Sequence, residues 1–392
     1  IDTIADWLIA EALAESDVES IFEGCCNRLQ AAGIPLWRAL LSYPTLHPLH
    51  ASIWLTWSRG KGVGVVESLL GYSSTSDEFL RSPFYHMTQT RIPFLRRRLT
   101  GVDATLDFLI LEEFQERGAT DYLAFIVPFG NNAYDGEMIV GIMASWTTDR
   151  TSGFSANDIQ ALQRIEMRLA VACRVIIERQ ISKNILSTYL GHDAGHRVLK
   201  GQIKRGDGES IYAVIWYCDL RNSTGLADEM EPDDFLKLLN TYFECTAGAV
   251  LANGGEVLRF VGDAVLAIFP VRDDGNNTCQ ACEAAVMSAR EAQNRHQKCL
   301  DETAIFDFGL GLHIGNVMFG NIGVPERLEF SVIGPTANEV ARLEGLTKTS
   351  GHQVLVTGEF AKHLDIDWIA LGAHELRGVG GVTDVFALPP AT

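Results

Sequence analysis

Two aspartates, Asp219 and Asp263, stand where apolar stretches of this sequence stop. Asp219 ends the apolar run 211–218, and Asp263 lies in the middle of the run 256–269, directly after a glycine. Burying a carboxylate is costly unless its charge is compensated. Two converging acids indicate a divalent metal site, and a metal site beside a Gly-rich turn indicates phosphate chemistry.

The elements that must position these acids follow one another from residue 211 to residue 388. The continuous apolar stretch 211–219 is typical of a central strand. A helix is predicted over 232–253, and Gly262-Asp263 form the two-residue turn of a hairpin over 256–269. A helix over 276–300, a strand over 306–317, a helix from about 336 and short strands follow. The order βααββαβ, with its helices on one face, predicts a ferredoxin-like α+β domain.

Composition limits the possible partners and places the chain in a broad class. The 392 residues suffice for two domains, and 47% hydrophobic with 21% charged residues is an ordinary globular mixture. The net charge of −18 argues against nucleic acid as a partner, whereas a nucleotide carried by magnesium stays compatible. No membrane span or signal peptide is recognisable, and eight scattered cysteines suit a reducing cytosol, so a cytoplasmic protein is expected.

The N-terminal part, residues 1–154, predicts a separate α/β domain. A helix over 5–32 with a break near Ser16, strands near 36–43 and 51–58, a helix over 105–117 and two strands over 121–146 precede a long helix. This order resembles a GAF domain over about residues 5–180. The resemblance implies a sensor for an unknown small molecule or chromophore.

Several residues outside the catalytic region have a functional and a structural interpretation. His47 and His50 could bind haem or a metal, although a polar turn between strands is favoured. Cys25 and Cys26 could carry a linear tetrapyrrole, and the C-x-x-C pair at 279 and 282 could bind metal or act in redox chemistry. For these cysteines the favoured interpretation is a small hydrophobic side chain within a helix.

The helix predicted over 155–188 has an apolar stripe with three- and four-residue spacing. It consists of Leu162, Ile165, Leu169, Ala172 and Ile176. We expect this stripe to pair with a second copy in a parallel dimer; the alternative is packing on the helix's own domain. The Gly- and His-rich segment 189–210 resembles the transducer element that precedes many class III cyclase domains.

Residues 211–392 resemble the catalytic domain of class III adenylate/guanylate cyclases. Four ordered motifs carry the resemblance: Y-C-D-L-R-N-S-T, G-G-E-V-L-R-F-V-G-D-A-V-L-A-I-F, G-L-G-L-H-I-G-N-V-M-F-G-N-I-G and F-S-V-I-G-P-T-A-N-E-V-A-R-L-E. Diguanylate cyclases share the palm-type fold, but their G-G-D/E-E-F turn is absent. The resemblance implies conversion of ATP to cyclic AMP and pyrophosphate with two Mg²⁺ (or Mn²⁺) ions.

The resemblance also assigns expected roles to individual residues. Metal ligands would be Asp219, the carbonyl of Leu220, and Asp263. Asn338, four residues before Arg342 on one helix face, would orient the ribose, and Arg342 would stabilise charge on the transferred phosphate. The triphosphate would be held by the amides around Asn222, Ser223, Thr224 and Gly225, and by Arg377.

Base selection is expected at Arg259 and Ser331. A cation donates to adenine N1 and a hydroxyl accepts from the 6-amino group, so adenine is favoured. Arg259 replaces the lysine usual in adenylate cyclases, and this exchange is not conservative. Since family members combine the two halves of each site from two subunits, the resemblance implies a homodimer. A guanylate cyclase, or a catalytically weak cyclase-like regulatory protein, is the alternative.

Overall fold

The computed structural model describes residues 1–14, 16–45, 50–69, 77–130, 140–271, 277–302, 306–376 and 381–390. The chain divides into two units, Ile1–Ile185 and Leu186–Thr392, each with its own β-sheet. Within the described ranges, no helix has the length and apolar character needed to cross a bilayer.

The N-terminal unit is built on an antiparallel six-stranded sheet with the order β3-β2-β1-β6-β5-β4. Its helices are α1 (Asp2–Leu13), α2 (Val18–Ala31), α3 (Asp77–Leu80), α4 (Pro83–Thr90), α5 (Leu109–Glu116) and α6 (Ala156–Leu190), and its strands are β1 (Arg38–Pro44), β2 (His50–Ser58), β3 (Gly62–Leu69), β4 (Phe94–Arg98), β5 (Asp121–Pro128) and β6 (Gly141–Thr148). The break expected near Ser16 is present, since α1 ends at Leu13 and α2 begins at Val18. Asp17 caps α2 by accepting a hydrogen bond from the Ser20 amide.

Helix α6 packs its apolar stripe into the core of its own unit. Leu162, Ile165, Leu169, Ala172 and Ile176 are all buried among residues of α1, α2 and the sheet. The expectation that this stripe pairs with a second copy is therefore wrong, because the sheet already covers it. Exposed apolar side chains of α6, among them Met167, Val171 and Val175, lie outside this stripe.

The C-terminal unit has an eight-stranded mixed sheet with the order β13-β14-β12-β10-β7-β9-β8, and β11 pairs with β10. Its strands are β7 (Gly208–Leu220), β8 (Glu256–Val261), β9 (Ala264–Pro270), β10 (Phe308–Val324), β11 (Arg327–Ile333), β12 (Val354–Thr357), β13 (Ile369–Glu375) and β14 (Val382–Ala387). The helices are α7 (His192–Leu199), α8 (Ser223–Glu229), α9 (Pro232–Ala252), α10 (Asn277–Glu302), α11 (Pro335–Ser350) and α12 (Gly358–Ala361).

Helices cover both faces of this sheet, contrary to the expected single helical face. Trp216 and Cys218 of β7 pack in the cluster that contains α9 and α10, whereas Ala213 and Ile215 pack with Val340 of α11. The reason is that β7 is apolar at successive positions, so both of its faces need cover. Side chains along a strand alternate between the two faces of the sheet. Asp219 is an even number of residues from Ala213 and Ile215, so it points to the same side, that of α11.

Glycines on β10 let α11 lie close to the sheet. A Cβ at Gly311 would come within 2.7 Å of the Val340 carbonyl, and one at Gly315 within 2.8 Å of Thr336 Oγ1. No side chain fits in that space. The G-L-G-L-H-I-G motif thereby fixes how near α11 comes to the strand that pairs with β7.

Candidate active site

The two predicted metal-binding acids come together. Asp219 is the penultimate residue of β7, where Gly309 of β10 is its partner in the register. Asp263 is in the two-residue turn between β8 and β9, and Gly262 adopts a positive φ of 65° there. Asp263 lies near enough to Asp219 for its negative charge to raise the pKa of the Asp219 carboxyl. The hairpin next to β7 therefore delivers the second acid to the first.

Asp219 is partly buried and lies near a second negative charge, that of Asp263. Burial raises the pKa of Asp219 and the negative charge of Asp263 raises it further, whereas Lys348 opposes the rise. Lys348 Nζ lies 3.5 Å from Asp219 Oδ2. Two carboxylates this close repel each other unless a cation lies between or beside them, so the pair suits a divalent ion.

The donor set is small, which fits magnesium better than zinc. Throughout the described residues, no group of three or more His, Cys, Asp or Glu side chains could hold a metal ion. Mg²⁺ commonly keeps several waters and is held by one or two carboxylates together with substrate phosphates. Asp219 and Asp263 can supply those carboxylates, and Leu220, the last residue of β7, carries the expected carbonyl.

The predicted phosphate-binding segment forms the start of a short helix. Asn222 has a left-handed backbone with φ 54°, and Ser223, Thr224 and Gly225 make up the first turn of α8. First-turn amides of a helix have no intrahelical acceptor. The first-turn amides of α8 can therefore donate hydrogen bonds to a bound anion. Arg377, the other predicted phosphate ligand, lies outside the described residues.

Asn338 and Arg342 both lie on the exposed side of α11. Neither side chain makes a hydrogen bond or ion pair in the part of the chain that the structure describes, and in particular neither meets Asp219 or Asp263. One chain thus contains both predicted halves of a site without joining them.

The predicted base-selecting residues lie on neighbouring elements, and one already has a partner. Arg259 of β8 donates from Nη1 to Glu329 Oε1 of β11 over 2.6 Å, while its Nε is buried without a partner in the described structure. Ser331, two residues after Glu329, is only 2% exposed. The sequence analysis missed Glu329, because nothing in the pattern joins β8 to β11.

Lys348, Glu344 and Arg221 are further residues that the sequence analysis missed. Arg221 directly follows Leu220 and pairs with Glu344 Oε1 at 3.4 Å, and Glu344 is nearly fully buried. Glu344 and Lys348 are four residues apart, so their shared helix face was recognisable. Their proximity to Asp219, more than 100 residues earlier, was not.

Among the residues that the structure describes, the remaining cysteine candidates of the sequence do not form a metal cluster. Cys25 and Cys26 are fully buried, and burial raises the pKa of Cys25 to about 12, so neither thiol is available to a tetrapyrrole. Cys279 and Cys282 lie on α10, where Cys279 contacts Glu283. His50 begins β2, and His47 is outside the described residues.

Comparison with known proteins decides the family of the C-terminal unit. The family model of the adenylate and guanylate cyclase catalytic domain matches residues 209–388. These residues form a class III adenylate/guanylate cyclase catalytic domain. The cyclase domain contains both acids, α11 and the β8–β11 contact described above.

Individual relatives match about two fifths to one half of the chain. An adenylate cyclase of Anabaena cylindrica is 33% identical over 171 residues, which are 41% of this chain and 32% of the relative. Adenylate cyclase 1 of Rhizobium meliloti is 29% identical over 178 residues, 43% of this chain and 26% of the relative. The crystal structure of the adenylyl cyclase CyaB from P. aeruginosa, at 21% identity, covers 47% of this chain and 97% of that chain with a TM-score of 0.42. The match thus spans about a third or less of the length of the Anabaena and Rhizobium relatives.

The N-terminal unit contains a cavity of about 360 Å³. Apolar side chains of α6, Ile176, Ile177 and Ile181, form one wall, and Tyr43 and Ile53 of the sheet form another. Amides at Gln180 and Asn184 add polar groups on α6. The cavity is therefore lined partly by the helix that continues to Leu190.

Proposed function

We propose that the protein is an adenylate cyclase that converts ATP to 3′,5′-cyclic AMP and pyrophosphate. The observation that carries the proposal is the meeting of Asp219 and Asp263 at the edge of a class III cyclase domain. Two Mg²⁺ or Mn²⁺ ions held there would lower the pKa of the ribose 3′-hydroxyl and neutralise the triphosphate. The two carboxylates and the Leu220 carbonyl would hold these ions in place.

Other residues of this chain would bind and orient the nucleotide. The first-turn amides of α8 would donate to phosphate oxygens, and Arg377 would add a charge. Asn338 would orient the ribose, and Arg342 would donate to the phosphate oxygens on which charge develops. Removal of one such donor commonly lowers turnover by about 10²–10³-fold.

Adenine is the proposed base because of the hydrogen-bonding groups beside the site. Arg259 would donate to N1 of adenine, and the Ser331 hydroxyl would accept from the 6-amino group. Guanine has the opposite donor and acceptor pattern at these atoms. The relatives named adenylate cyclase agree with this choice. A guanylate cyclase, or a weak cyclase-like regulatory protein, is the second candidate.

The active form is proposed to be a homodimer with two sites, each made from both chains. The exposure of Asn338 and Arg342, together with the lack of a recorded contact between them and the two acids among the described residues, supports this. Exposed apolar side chains at Phe260, Met318 and Ile333 offer a surface for a second cyclase domain. Met167, Val171 and Val175 offer a second contact along α6.

Regulation by the N-terminal unit is proposed to proceed through α6. The unit would be a GAF-like sensor, which the strand order β3-β2-β1-β6-β5-β4 and the cavity beside α6 support. A ligand in this cavity would contact a helix that runs into the second unit. The proposed domains are the sensor (1–154), signalling helix (155–188), transducer element (189–210) and cyclase domain (211–392).

The test is an assay of the purified protein with ATP and with GTP in Mg²⁺ or Mn²⁺. Cyclic AMP as the main product is expected. The Asp263→Ala variant should be folded, with an unchanged circular dichroism spectrum, yet lose activity by at least about 10²-fold because a metal ligand is gone. Cyclic GMP as the main product would overturn the base assignment. If a confirmed dimer formed neither cyclic AMP nor cyclic GMP, the cyclase activity would be ruled out.

A further inference from the structure

Three cationic side chains lie near the acids of the cyclase domain, and they have different partners. Arg221 pairs with Glu344, and Arg259 pairs with Glu329. Lys348 is the one for which the described structure records an ion pair with a proposed metal ligand, Asp219. Lys348 therefore differs from the other two in that it touches an oxygen that a metal ion would also use.

The geometry of this ion pair is that of a contact that opens easily. The distance of 3.5 Å between Nζ and Oδ2 is longer than the roughly 2.7–2.9 Å of a strong charge-assisted hydrogen bond. The Lys348 side chain is 54% exposed, whereas that of Asp219 is 23% exposed. The lysine can thus move into solvent, while the aspartate stays at the end of β7.

A lysine in this position has two opposing effects on the acid pair. Without a metal ion, its charge offsets the repulsion between Asp219 and Asp263. When a divalent ion approaches, the ammonium group repels it and occupies a carboxylate oxygen that the ion needs. Metal binding must therefore displace the lysine, and the lost ion pair lowers the net affinity for the metal.

We propose that Lys348 is a displaceable counter-cation that sets the metal affinity of the Asp219–Asp263 pair. This inference rests on the proposed role of the two acids as metal ligands. It adds a regulatory residue from the last turn of α11, the helix that also carries Asn338 and Arg342. Lys348 acts on metal loading through its contact with Asp219 and is therefore a positioning residue.

The test is direct binding of Mn²⁺ to the full-length protein without nucleotide, measured by electron paramagnetic resonance of the free ion. Lys348→Gln should bind Mn²⁺ about three- to tenfold more tightly, since one repelling charge and one competing contact are removed. Lys348→Arg, which retains the charge, should stay near the wild type. The difference should shrink in high salt, because ions screen exposed charges.

A matched control is Lys362→Gln. Lys362 is 56% exposed and forms an ion pair with Glu359 at 2.6 Å, but its partner is not a proposed metal ligand. Its Mn²⁺ affinity should equal that of the wild type. An unchanged or weaker affinity of Lys348→Gln, or an equal gain in Lys362→Gln, would overturn the inference.

One further variant separates this inference from the proposed function. Asp263→Ala should lose Mn²⁺ binding. If it does while Lys348→Gln changes nothing, the metal site stands and the role of Lys348 fails. If Asp263→Ala binds Mn²⁺ as the wild type does, the metal assignment of the two acids fails, and the role of Lys348 fails with it.

Discussion

Arg259 carries the proposed choice of base, yet its guanidinium already binds a carboxylate of its own chain. The Nη1–Oε1 distance to Glu329 is 2.6 Å, and both side chains are partly exposed. The guanidinium is planar, so a hydrogen bond from one terminal nitrogen of Arg259 to the Glu329 carboxylate restricts its orientation. Its second terminal nitrogen can then donate to a base edge. Glu329 would thus fix the donor that Arg259 presents.

The Glu329→Ala variant tests this arrangement. We expect the KM for ATP to rise about three- to tenfold, because the freed guanidinium must be ordered again on each binding event. The melting temperature should barely change, since an exposed ion pair contributes only about 0.2–1 kcal/mol. Steady-state kinetics with ATP and a thermal melt provide both readouts.

Glu326→Ala is the control for this prediction. Glu326 is an exposed acid in the turn between β10 and β11, and no ion pair of this residue is recorded in the described structure. Its KM for ATP should match the wild type. Equal KM values for all three proteins would mean that Glu329 has no part in nucleotide binding.

Several polar contacts hold helix α11 to the sheet along its length. Thr336 Oγ1 donates to the Asn316 carbonyl near its start, and Arg221 pairs with Glu344 near its end. Between them, His313 Nε2 lies 3.2 Å from Glu339 Oε2, and His313 Nδ1 lies 2.8 Å from Thr357 Oγ1. The residue before Glu339 is Asn338, so this middle contact fixes the segment that carries a proposed catalytic side chain.

The burial of His313 predicts a pH dependence of stability. Burial lowers the pKa of His313 below its ordinary value of 6.5, and the charges of Glu339 and Glu359 oppose the shift without reversing it. Between the lowered pKa and 6.5, the unfolded chain binds more protons than the folded one, so stability falls as the pH drops below 6.5. Thermal unfolding at pH 7.5 and pH 5.5 should show this loss.

The His313→Gln variant isolates this contribution. Glutamine keeps hydrogen-bonding capacity but does not titrate, so its melting temperature should fall less than that of the wild type between the two pH values. Glu339→Gln should keep the same acid sensitivity or increase it, because the charge that favours protonated His313 is gone. An equal fall in melting temperature between pH 7.5 and pH 5.5 for wild type and His313→Gln would contradict the role of His313 in the pH dependence.

The same elements explain which parts were predictable. Asp219, Asp263 and the β8–β9 turn could be predicted because each depends on a local pattern, namely an apolar run that ends in an acid or a Gly-Asp turn. The second face of β7 was misjudged, since the sequence does not say which helix covers Ala213 and Ile215. Lys348 and Glu329 escaped notice because their partners are distant in sequence and meet them only through the sheet order.

At the scale of the whole molecule, one chain carries both halves of the proposed site, but among the described residues the two halves do not contact each other. Asp219 lies at the end of β7 and Asp263 in the β8–β9 turn, whereas Asn338 and Arg342 lie on the exposed side of α11. An isologous dimer repeats each surface twice and therefore yields two sites. In the proposed dimer, activity would be a property of the pair of chains, and each half of a site could be inactivated separately.

Mixing two inactive variants tests this division. Asp263→Ala removes a proposed metal ligand, and Arg342→Ala removes the proposed phosphate donor, so each homodimer should be inactive at both of its sites. A heterodimer would have one site with both defects and one with neither. Random exchange makes about half of all dimers heterodimers, so the mixture should recover about a quarter of wild-type activity. Each variant alone, at the same total concentration, is the control. If the mixture is no more active than the separate variants although subunit exchange is confirmed, both halves of each site come from the same chain.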